Sequence, residues 1–386
     1  MGERLKIAVL FGGRSGEHEV SLVSARSVMA ALDPARFEVI PVGITREGAW
    51  LVGADPMKAL EEESFEETRP AAILPDPTRR GLNQLQPRQE EQAEQLSTLS
   101  RVDVVFPVLH GTFGEDGTVQ GLLELANVPY VGAGVLASAV AMDKIIFKHV
   151  CNDMGLPIVP YVPCTRRRWE REPAAVLEEI EAQLTYPVFT KPANLGSSVG
   201  VSKCHDRADL RRGLNEAARY DRRVLVEEAV PEAREIEVSV LGNEAPSASV
   251  PGEIIPSREF YTYEAKYLDT GEDASELLIP APLDEEMTAR VQAIAIEAYC
   301  AIDGAGMARV DFLLSGESGE LYLNEINTIP GFTSISMYPK LWEASGVSYR
   351  RLLSWLIDLA LERHAENARS ERVFRPRTTQ GGSARR

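Results

Sequence analysis

Residues 5–44 read LKIAVLFGGRSGEHEVSLVSARSVMAALDPARFEVIPVGI. The stretch opens with an apolar run from Leu5 to Phe11, turns at Gly12 and Gly13, and continues with a helical pattern from Val20 to Leu32. A second apolar run from Phe37 to Ile44 ends it. Because strands that alternate with helices build parallel sheets, this stretch predicts an α/β fold with a parallel N-terminal sheet.

The remaining sequence divides into further segments by pattern. Strands are predicted at 102–109 and 128–132 with a helix at 118–126, and a helix over 137–154 ends at Gly155 and Pro157. Later predicted strands are 159–162, 187–191, 224–228 and 235–241, followed by a helix at 285–301 and a hairpin that turns at 315–319. We therefore expect an N-terminal α/β domain (1–136) with a polar surface insertion near 54–101, a central lobe (137–232), a C-terminal lobe (233–365) and a disordered basic tail (366–386).

The net charge of −17 argues against a nucleic-acid-binding surface, because such a surface would repel phosphates. The last 18 residues carry six Arg and one Glu, so the rest of the chain is still more acidic. No apolar run approaches the roughly 18 residues that cross a bilayer. The four cysteines, Cys151, Cys164, Cys204 and Cys300, are widely spaced, which predicts neither a zinc site nor a disulfide framework and favours the cytoplasm.

Two predicted strands around the last turn carry the most informative polar pattern. Side chains at i and i+2 share a strand face, so Arg309 lies with Asp311, and Glu325 with Asn327. A register that pairs Asp311 with Glu325 would bring all four together among apolar neighbours. Two buried carboxylates need a cation, and Asp, Glu and Asn oxygens suit Mg²⁺ beside phosphates. A structural salt bridge from Arg309 to one acid explains the pattern equally well, and both interpretations stay open here.

Two glycine-rich loops could contact phosphate. Lys191 is followed by PANLGSSVG, a loop of small residues whose backbone N–H groups could approach phosphate oxygens, although a plain glycine turn has the same composition. The loop GGRSGE (12–17) could bind an anion at the N-terminus of a helix or could be a tight β–α turn. Residues 132–137, GAGVLA, match the dinucleotide pattern but follow four strands instead of the first, so we do not expect an NAD site.

Three further residues are candidates only in combination. His110 ends a predicted strand, Lys144 lies on a helix and Tyr267 lies in a polar loop. A satisfied strand-end histidine, a solvated lysine and a loop aromatic are the ordinary explanations of each.

Eight segments, in order, make the chain resemble the D-alanine–D-alanine ligase family of the ATP-grasp superfamily. They are GGRSGEHEVS (12–21), LHGTFGEDGTVQG (109–121), MDK (142–144), KPANLGSSVGVSK (191–203), REIEVSVLG (234–242), YTYEAKY (261–267), ARVDFLL (308–314) and NEINTIPGFTSISMYP (324–339). Thr190 departs from the family pattern, in which an apolar residue usually precedes the phosphate-binding lysine. The resemblance implies an ATP-grasp fold with an N-terminal parallel α/β domain and two α+β lobes that clasp ATP.

The resemblance also implies site residues and ligands. It implies ATP as co-substrate, two Mg²⁺ ions with Mn²⁺ as an alternative metal, D-alanine as substrate and a homodimer. The implied nucleotide-binding residues are Lys144 and Lys191 on the phosphates, Ser198 in the closing loop, Glu227, Glu228 and Val230 around adenine, Glu235 on the ribose, and Lys266. The implied metal ligands are Asp311, Glu325 and Asn327. The implied residues around the amino acids are Glu17 and His110 for the first D-alanine, Ser336 and Met337 for the second, Arg309 and Gly331 for oxyanions, and Ser197 with Tyr267 in a hydrogen-bonded set with Glu17.

The implied reaction is ligation of two D-alanine molecules through an acyl phosphate, for peptidoglycan precursors. Three alternatives stay open at this stage. They are a related ligase whose acceptor is D-lactate, a non-catalytic nucleotide-binding regulator, and a dehydrogenase. Retention of both lysines and all three implied metal ligands argues against the regulator.

Overall fold

The computed structural model describes residues 4–85, 96–255, 275–333 and 335–371. They form three sheets with helices packed against them. The first sheet has seven strands in the order β6-β5-β4-β3-β2-β1-β7. Its strands are β1 (Leu5–Gly12), β2 (Phe37–Ile44), β3 (Trp50–Gly53), β4 (Thr68–Ile73), β5 (Leu82–Leu85), β6 (Leu96–Ser100) and β7 (Val104–Pro107). The helices of this part are α1 (His18–Ala31), α2 (Pro56–Glu61) and α3 (Thr118–Ala126).

The strand–helix–strand prediction for residues 5–44 is confirmed. β1 pairs in parallel with β2 and β7 and is buried on both faces from Ile7 onward, which explains its apolar run from Ile7 to Phe11. At the β1–α1 turn Gly12 has a φ of +89°, and a β-carbon there would lie 2.2 Å from the carbonyl oxygen of Ile44, so only glycine fits. Residues 128–132, predicted as a strand, contribute only an isolated bridge from Tyr130 to Val105.

The region near 54–101, predicted as a polar surface insertion, contains a helix and several strands in its described parts. There β4, β5 and β6 extend the first sheet from β3 by antiparallel pairing, and the helix α2 lies between β3 and β4 in the chain. Strands at the edge of a sheet with one solvated face have a weak apolar pattern, so these strands could not be recognised from the sequence.

The second sheet is antiparallel, in the order β10-β9-β11-β8. Its apolar cluster includes Val162, Leu177, Leu210 and Val226. Its strands are β8 (Tyr161–Thr165), β9 (Val188–Pro192), β10 (Ser202–Cys204) and β11 (Arg223–Glu228). The helices beside it are α6 (Arg166–Arg171), α7 (Pro173–Gln183) and α8 (Arg207–Tyr220), preceded in the chain by α4 (Val135–Met142) and α5 (Lys144–Asp153).

The single helix predicted over 137–154 is wrong, because α4 and α5 are separate. Asp143 between them has an extended backbone (φ −90°, ψ 97°). Its side chain accepts a hydrogen bond from the backbone N–H of Ile146 and pairs with Arg223, so it caps α5 at the N-terminus.

The third sheet has the order β15-β14-β12-β16-β17, with β13 paired to β12. Its buried apolar cluster is formed by side chains of β12, β16 and β17, which pack against side chains of α4, α5 and the helix at 285–301. Its strands are β12 (Ala233–Leu241), β13 (Ser247–Ala248), β14 (Gly252–Ile255), β15 (Glu276–Leu278), β16 (Met307–Ser315) and β17 (Leu321–Asn327). The remaining helices are α9 (Glu285–Ala301), α10 (Met337–Ala344) and α11 (Tyr349–Ala368).

The last helix returns to the first sheet. Leu352 and Leu356 of α11 belong to the same buried cluster as Ile7 and Phe106. The helix continues to Ala368, so the expected start of the tail at residue 366 is wrong; residues 372–386 lie outside the described part. Across the described ranges, no helix combines the length and the apolar character needed to span a membrane.

Candidate active site

A cleft of about 390 Å³ lies between the second and third sheets. β9 and β11 form one wall, β12, β16 and β17 form the other, and the glycine- and serine-rich loop after β9 borders it. Ten of the residues that the resemblance implied line this cleft. They are Lys144, Lys191, Ser197, Ser198, Glu227, Glu228, Val230, Glu235, Asp311 and Glu325.

The hairpin of β16 and β17 has the register that gathers its polar side chains. Asp311 is paired with Glu325, and Arg309 with Asn327. The guanidinium of Arg309 contacts both oxygens of Asp311, at 2.7 and 2.6 Å, and the amide of Asn327 donates to Asp311 Oδ2 at 3.0 Å. The salt bridge that the sequence left open is therefore present.

Arg309 has a second carboxylate partner, Glu237, which sequence reasoning missed. Glu237 Oε2 lies 3.0 Å from Arg309 Nε and comes from β12, where Glu237 is paired with Asp311. Burial opposes the charge of Arg309, but Asp311 and Glu237 outweigh it and raise its pKa further above the usual value. The i, i+2 alternation of Glu235 and Glu237 in the sequence was the available signal.

Two lysines enter the cleft from different elements. Lys144, the first residue of α5, donates from Nζ to the carbonyl of Leu195 at 2.8 Å and lies 3.7 Å from Glu325 Oε2. Lys191 comes from β9, and its Nζ lies 2.5 Å from Glu227 Oε1. Burial acts to lower the pKa of Lys191, but the charge of Glu227 outweighs it and raises the pKa.

The loop after β9 lines the cleft and reaches the N-terminal part of the chain. Ser197 and Ser198 both have positive φ angles, 52° and 58°, which non-glycine residues seldom adopt. The hydroxyl of Ser197 donates to the carboxylate of Glu17, so the loop is tied to the N-terminus of α1. Gly196 lies against the same carboxylate: a β-carbon there would be 3.1 Å from Glu17 Oε2.

His110 and its neighbour Glu115 both lie close enough to Glu17 to feel its charge. His110 is buried, with Nδ1 3.0 Å from the carbonyl oxygen of Ile329 and Nε2 3.1 Å from Ser24 Oγ, and burial lowers its pKa. Glu115, which sequence reasoning missed, accepts the backbone N–H of Gly111 at 2.9 Å. Burial first and the charge of Glu17 second raise the pKa of Glu115 to about 8.

The segment after β17 brings two more predicted residues together. Gly331 approaches Ser336 so closely that a β-carbon on Gly331 would lie 2.6 Å from Ser336 Oγ. Ser336 Oγ accepts the backbone N–H of Thr333 at 3.0 Å, and Met337 begins α10 with a buried side chain. Lys266 and Tyr267 lie outside the described residues, so their expected positions stay predictions.

The donor set around the two carboxylates suits a hard cation. Asp311, Glu325 and Asn327 supply oxygen atoms on one strand face beside the phosphate lysines. Within the described ranges, no group of three or more His, Cys, Asp or Glu side chains has the arrangement of a metal cluster. Protein cations contact both acids, Lys144 at Glu325 and Arg309 at Asp311.

Comparison with known proteins identifies the family. Residues 6–133 match the family model described as D-ala D-ala ligase N-terminus, and residues 150–358 match the one described as D-ala D-ala ligase C-terminus. The chain is 49% identical to the D-alanine–D-alanine ligase of Natranaerobius thermophilus over 373 residues, covering 96% of this chain and 99% of that protein. It is 53% identical to the enzyme of the same name from Heliobacterium modesticaldum, covering 96% and 98%.

Solved structures agree with the sequence relatives. The D-alanine-D-alanine ligase from Coxiella burnetii superposes with a TM-score of 0.77 at 37% identity, covering 95% of this chain and 97% of that one. VanG D-Ala:D-Ser ligase from Enterococcus faecalis superposes with a TM-score of 0.80 at 36% identity, covering 93% and 100%. Both halves of the chain match models of one family, and two relatives are 49% and 53% identical to the chain over 96% of its length. The chain therefore belongs to the D-alanine–D-alanine ligase family, a family of ATP-dependent ligases with the ATP-grasp fold.

Proposed function

We propose that this protein joins two D-alanine molecules into D-alanyl-D-alanine at the expense of ATP, for peptidoglycan precursors. The observation that carries the proposal is the convergence of Lys144, Lys191, Asp311 and Glu325 in one cleft, in a chain of this family. The two ammonium groups can bind the negatively charged phosphate oxygens, and the two carboxylates can bind the metal ions that accompany a polyphosphate. The two relatives that are 49% and 53% identical to this chain are both named D-alanine–D-alanine ligase.

The proposed division of labour follows the three parts of the chain. The N-terminal domain, 1–136, takes the first D-alanine, and the lobes 137–232 and 233–365 clasp ATP. The position of the cleft between the second and third sheets supports this assignment.

The nucleotide occupies the cleft in this proposal. Lys144 and Lys191 hold the phosphates, and backbone N–H groups around Ser198 cover them, as a lysine after a strand and a glycine-rich loop can do. Glu227, Glu228 and Val230 border the adenine, Glu235 holds the ribose, and Lys266 adds a contact. All of these residues except Lys266, which lies outside the described part of the chain, line the cleft, and this supports the assignment.

Two Mg²⁺ ions would be held by Asp311, Glu325 and Asn327, with Mn²⁺ as an alternative. The donor set supports this, because carboxylate and amide oxygens are the ligands that Mg²⁺ prefers, and phosphate oxygens complete its shell. When bound, the ions neutralise charge on the transferred phosphoryl group.

The amino acids would lie between the cleft and the N-terminal domain. Glu17 pairs with the ammonium of the first D-alanine and His110 lies near its carboxylate, while Ser336 and Met337 bind the carboxylate of the second. Arg309 and the backbone of Gly331 stabilise oxyanions. The close approach of Gly331 to Ser336 and the proximity of Glu17 to Gly196 support one continuous site.

The chemistry requires activation of a carboxylate. A carboxylate resists attack by an amine because it is anionic and would expel oxide or hydroxide. Transfer of the γ-phosphoryl group makes an acyl phosphate, and the neutral amine of the second D-alanine then displaces phosphate. Because water would hydrolyse the acyl phosphate, the loop of Ser197 excludes it, together with Tyr267.

The decisive experiment measures phosphate release and dipeptide formation together, with ATP, Mg²⁺ and D-alanine. We expect equal amounts of both products. D-lactate and D-serine are offered in parallel, the latter because one structural relative is a D-Ala:D-Ser ligase. Preferential formation of a mixed product would replace the proposed acceptor, and binding of ATP without turnover would favour a regulator. Light scattering tests the proposed homodimer.

A further inference from the structure

Lys148 is a buried lysine that does not line the cleft. It lies one turn after Lys144 in α5, on the face that also buries Ile145 and Cys151, and its exposed fraction is 1%. Its Nζ lies 3.0 Å from Glu227 Oε2 and 5.7 Å from the ring centre of Tyr161. Lys148 and Glu227 therefore form a buried ion pair.

Glu227 therefore has two ammonium partners, one on each oxygen. Lys148 contacts Oε2 from behind the cleft, whereas Lys191 contacts Oε1 from within it. Burial acts to raise the pKa of Glu227, but Lys148 and Lys191 outweigh it and lower the pKa to about 2. Glu227 is thus a fixed negative charge at the wall of the cleft.

Phosphate and Glu227 compete for Lys191. The Lys191 ammonium lies 2.5 Å from Glu227 Oε1 and 3.5 Å from Asn324 Oδ1, so movement of the ammonium toward a phosphate oxygen weakens its contact with Glu227. Removing the last partner of a buried carboxylate is strongly unfavourable. With Lys148 in place, however, Glu227 keeps one cation when Lys191 moves.

We propose that Lys148 is a positioning residue, which stays paired with Glu227 and so leaves Lys191 free to hold the phosphates of ATP. The proposal rests on the proposed function in taking ATP as the ligand. It adds a residue that contacts no substrate and acts only through Glu227 and Lys191.

The test is a double-mutant cycle read by calorimetric binding of the non-hydrolysable analogue AMP-PNP with Mg²⁺. In Lys148→Met, Glu227 retains Lys191, and the affinity should fall by about tenfold or more, because releasing the last cation from a buried carboxylate is unfavourable. In the Lys191→Ala background the same substitution should cost less than about twofold, because no lysine remains to be released. Equal losses in both backgrounds, or an unchanged affinity of Lys148→Met, would overturn the proposal.

Controls separate this role from a structural one. Lys148→Arg should restore affinity to within about threefold, because it keeps the charge. Lys58→Met, at an exposed lysine of α2, should behave as the wild type. In steady-state assays Lys148→Met should raise the KM for ATP and leave the KM for D-alanine unchanged, and a parallel rise of both would contradict the proposal.

Two further outcomes are distinguishable. If Lys148→Met does not fold, Lys148→Met with Glu227→Gln removes both charges, and its affinity should equal that of Glu227→Gln alone within about twofold. A tenfold loss there would show that Lys148 does not act through Glu227. If the wild-type protein binds AMP-PNP and the double-mutant cycle gives the expected affinities, but no dipeptide is made, the proposed function is refuted and the inference about Lys148 remains valid.

Discussion

The hydroxyl of Ser197 donates a hydrogen bond to the carboxylate of Glu17, 180 residues earlier in the chain. One partner lies in the loop that borders the nucleotide cleft, and the other immediately precedes α1 of the N-terminal part. Because the acceptor is a carboxylate, this is a charge-assisted bond, about twice as strong as a neutral one. The contact couples closure of the loop to the site proposed for the first D-alanine.

Ser197→Ala should therefore weaken loop closure. We expect kcat/KM for D-alanine to fall about 5- to 100-fold, which corresponds to about 1–3 kcal/mol for a lost hydrogen bond to a charge. Phosphate release should also exceed dipeptide formation, because an open loop admits water to the acyl phosphate. Ser247→Ala, at an exposed serine of β13, is the control, and equal yields of phosphate and dipeptide in Ser197→Ala would refute the coupling.

Glu325→Gln should nearly abolish ligation while the fold persists. If Glu325 holds Mg²⁺, its loss removes several kcal/mol of transition-state stabilisation, and kcat should fall by about 100-fold or more. The measurement is turnover against Mg²⁺ concentration, with the exposed Glu317→Gln of the neighbouring turn as control. If Glu325 is instead only the salt-bridge partner of Lys144, the variant loses thermal stability but keeps its activity per folded molecule.

Glu115→Gln should change the pH dependence of stability. The pKa of Glu115 rises from its usual 4.5 to about 8 on folding, so between these values the unfolded chain releases a proton that the folded protein keeps. Wild-type stability therefore falls as pH rises through this window. Glutamine keeps the acceptor for Gly111 and cannot ionise, so the variant should gain on the order of 1–3 kcal/mol relative to wild type between pH 5 and 8.

Urea denaturation at pH 5 and pH 8, without amino-acid ligands, measures this gain. Asp116→Asn, at a neighbouring acid whose carboxylate accepts backbone N–H groups in an exposed turn, controls for the general loss of a negative charge. A stability difference between Glu115→Gln and wild type that is the same at both pH values would contradict the raised pKa.

Asp143→Ala should cost more stability than an ordinary capping mutation. Asp143 caps α5 through the N–H of Ile146 and also pairs with the partly buried Arg223. Loss of the cap costs about 1 kcal/mol and the unpaired Arg223 adds to it, so we expect about 2–4 kcal/mol in total. Asp206→Ala, which removes an exposed cap from α8, should cost only about 1 kcal/mol. Equal thermal shifts in the two variants would show that the pair with Arg223 contributes nothing.

Tyr267→Phe tests the choice of acceptor. Although Tyr267 lies outside the described residues, the resemblance puts its hydroxyl in a set with Ser197 and Glu17. Its loss leaves polar partners unpaired at about 1–3 kcal/mol, enough to shift discrimination about 5- to 100-fold. We expect the variant to retain dipeptide synthesis and to gain D-alanyl-D-lactate synthesis, most clearly at low pH, where the D-alanine amine is protonated. A competition assay from about pH 6 to 9 measures both products, and an unchanged product ratio would exclude Tyr267 as the determinant.

Local pattern alone determined the N-terminal β1–α1–β2 unit and the polar face of the β16–β17 hairpin. In both, the decisive residues are neighbours in sequence, so the strand period and the turn fix which side chains point together. The sequence could not choose between a cation and a salt bridge at Asp311, since either satisfies a buried carboxylate. It also missed β4 to β6, whose pairing with the edge of the first sheet outweighs their polar composition.

Tertiary structure alone decided which distant groups meet. In the sequence, Lys148 cannot be told from any other lysine on a helix, and Glu227 cannot be told from any polar residue near the end of a strand. Their pairing depends on how α5 packs against the second sheet, as the contact between Ser197 and Glu17 depends on how the loop meets the N-terminal part. Periodicity indicates which face of a helix or strand is buried. The groups that this face contacts depend on packing between elements far apart in the chain, and those contacts determine the pKa of each buried charged group.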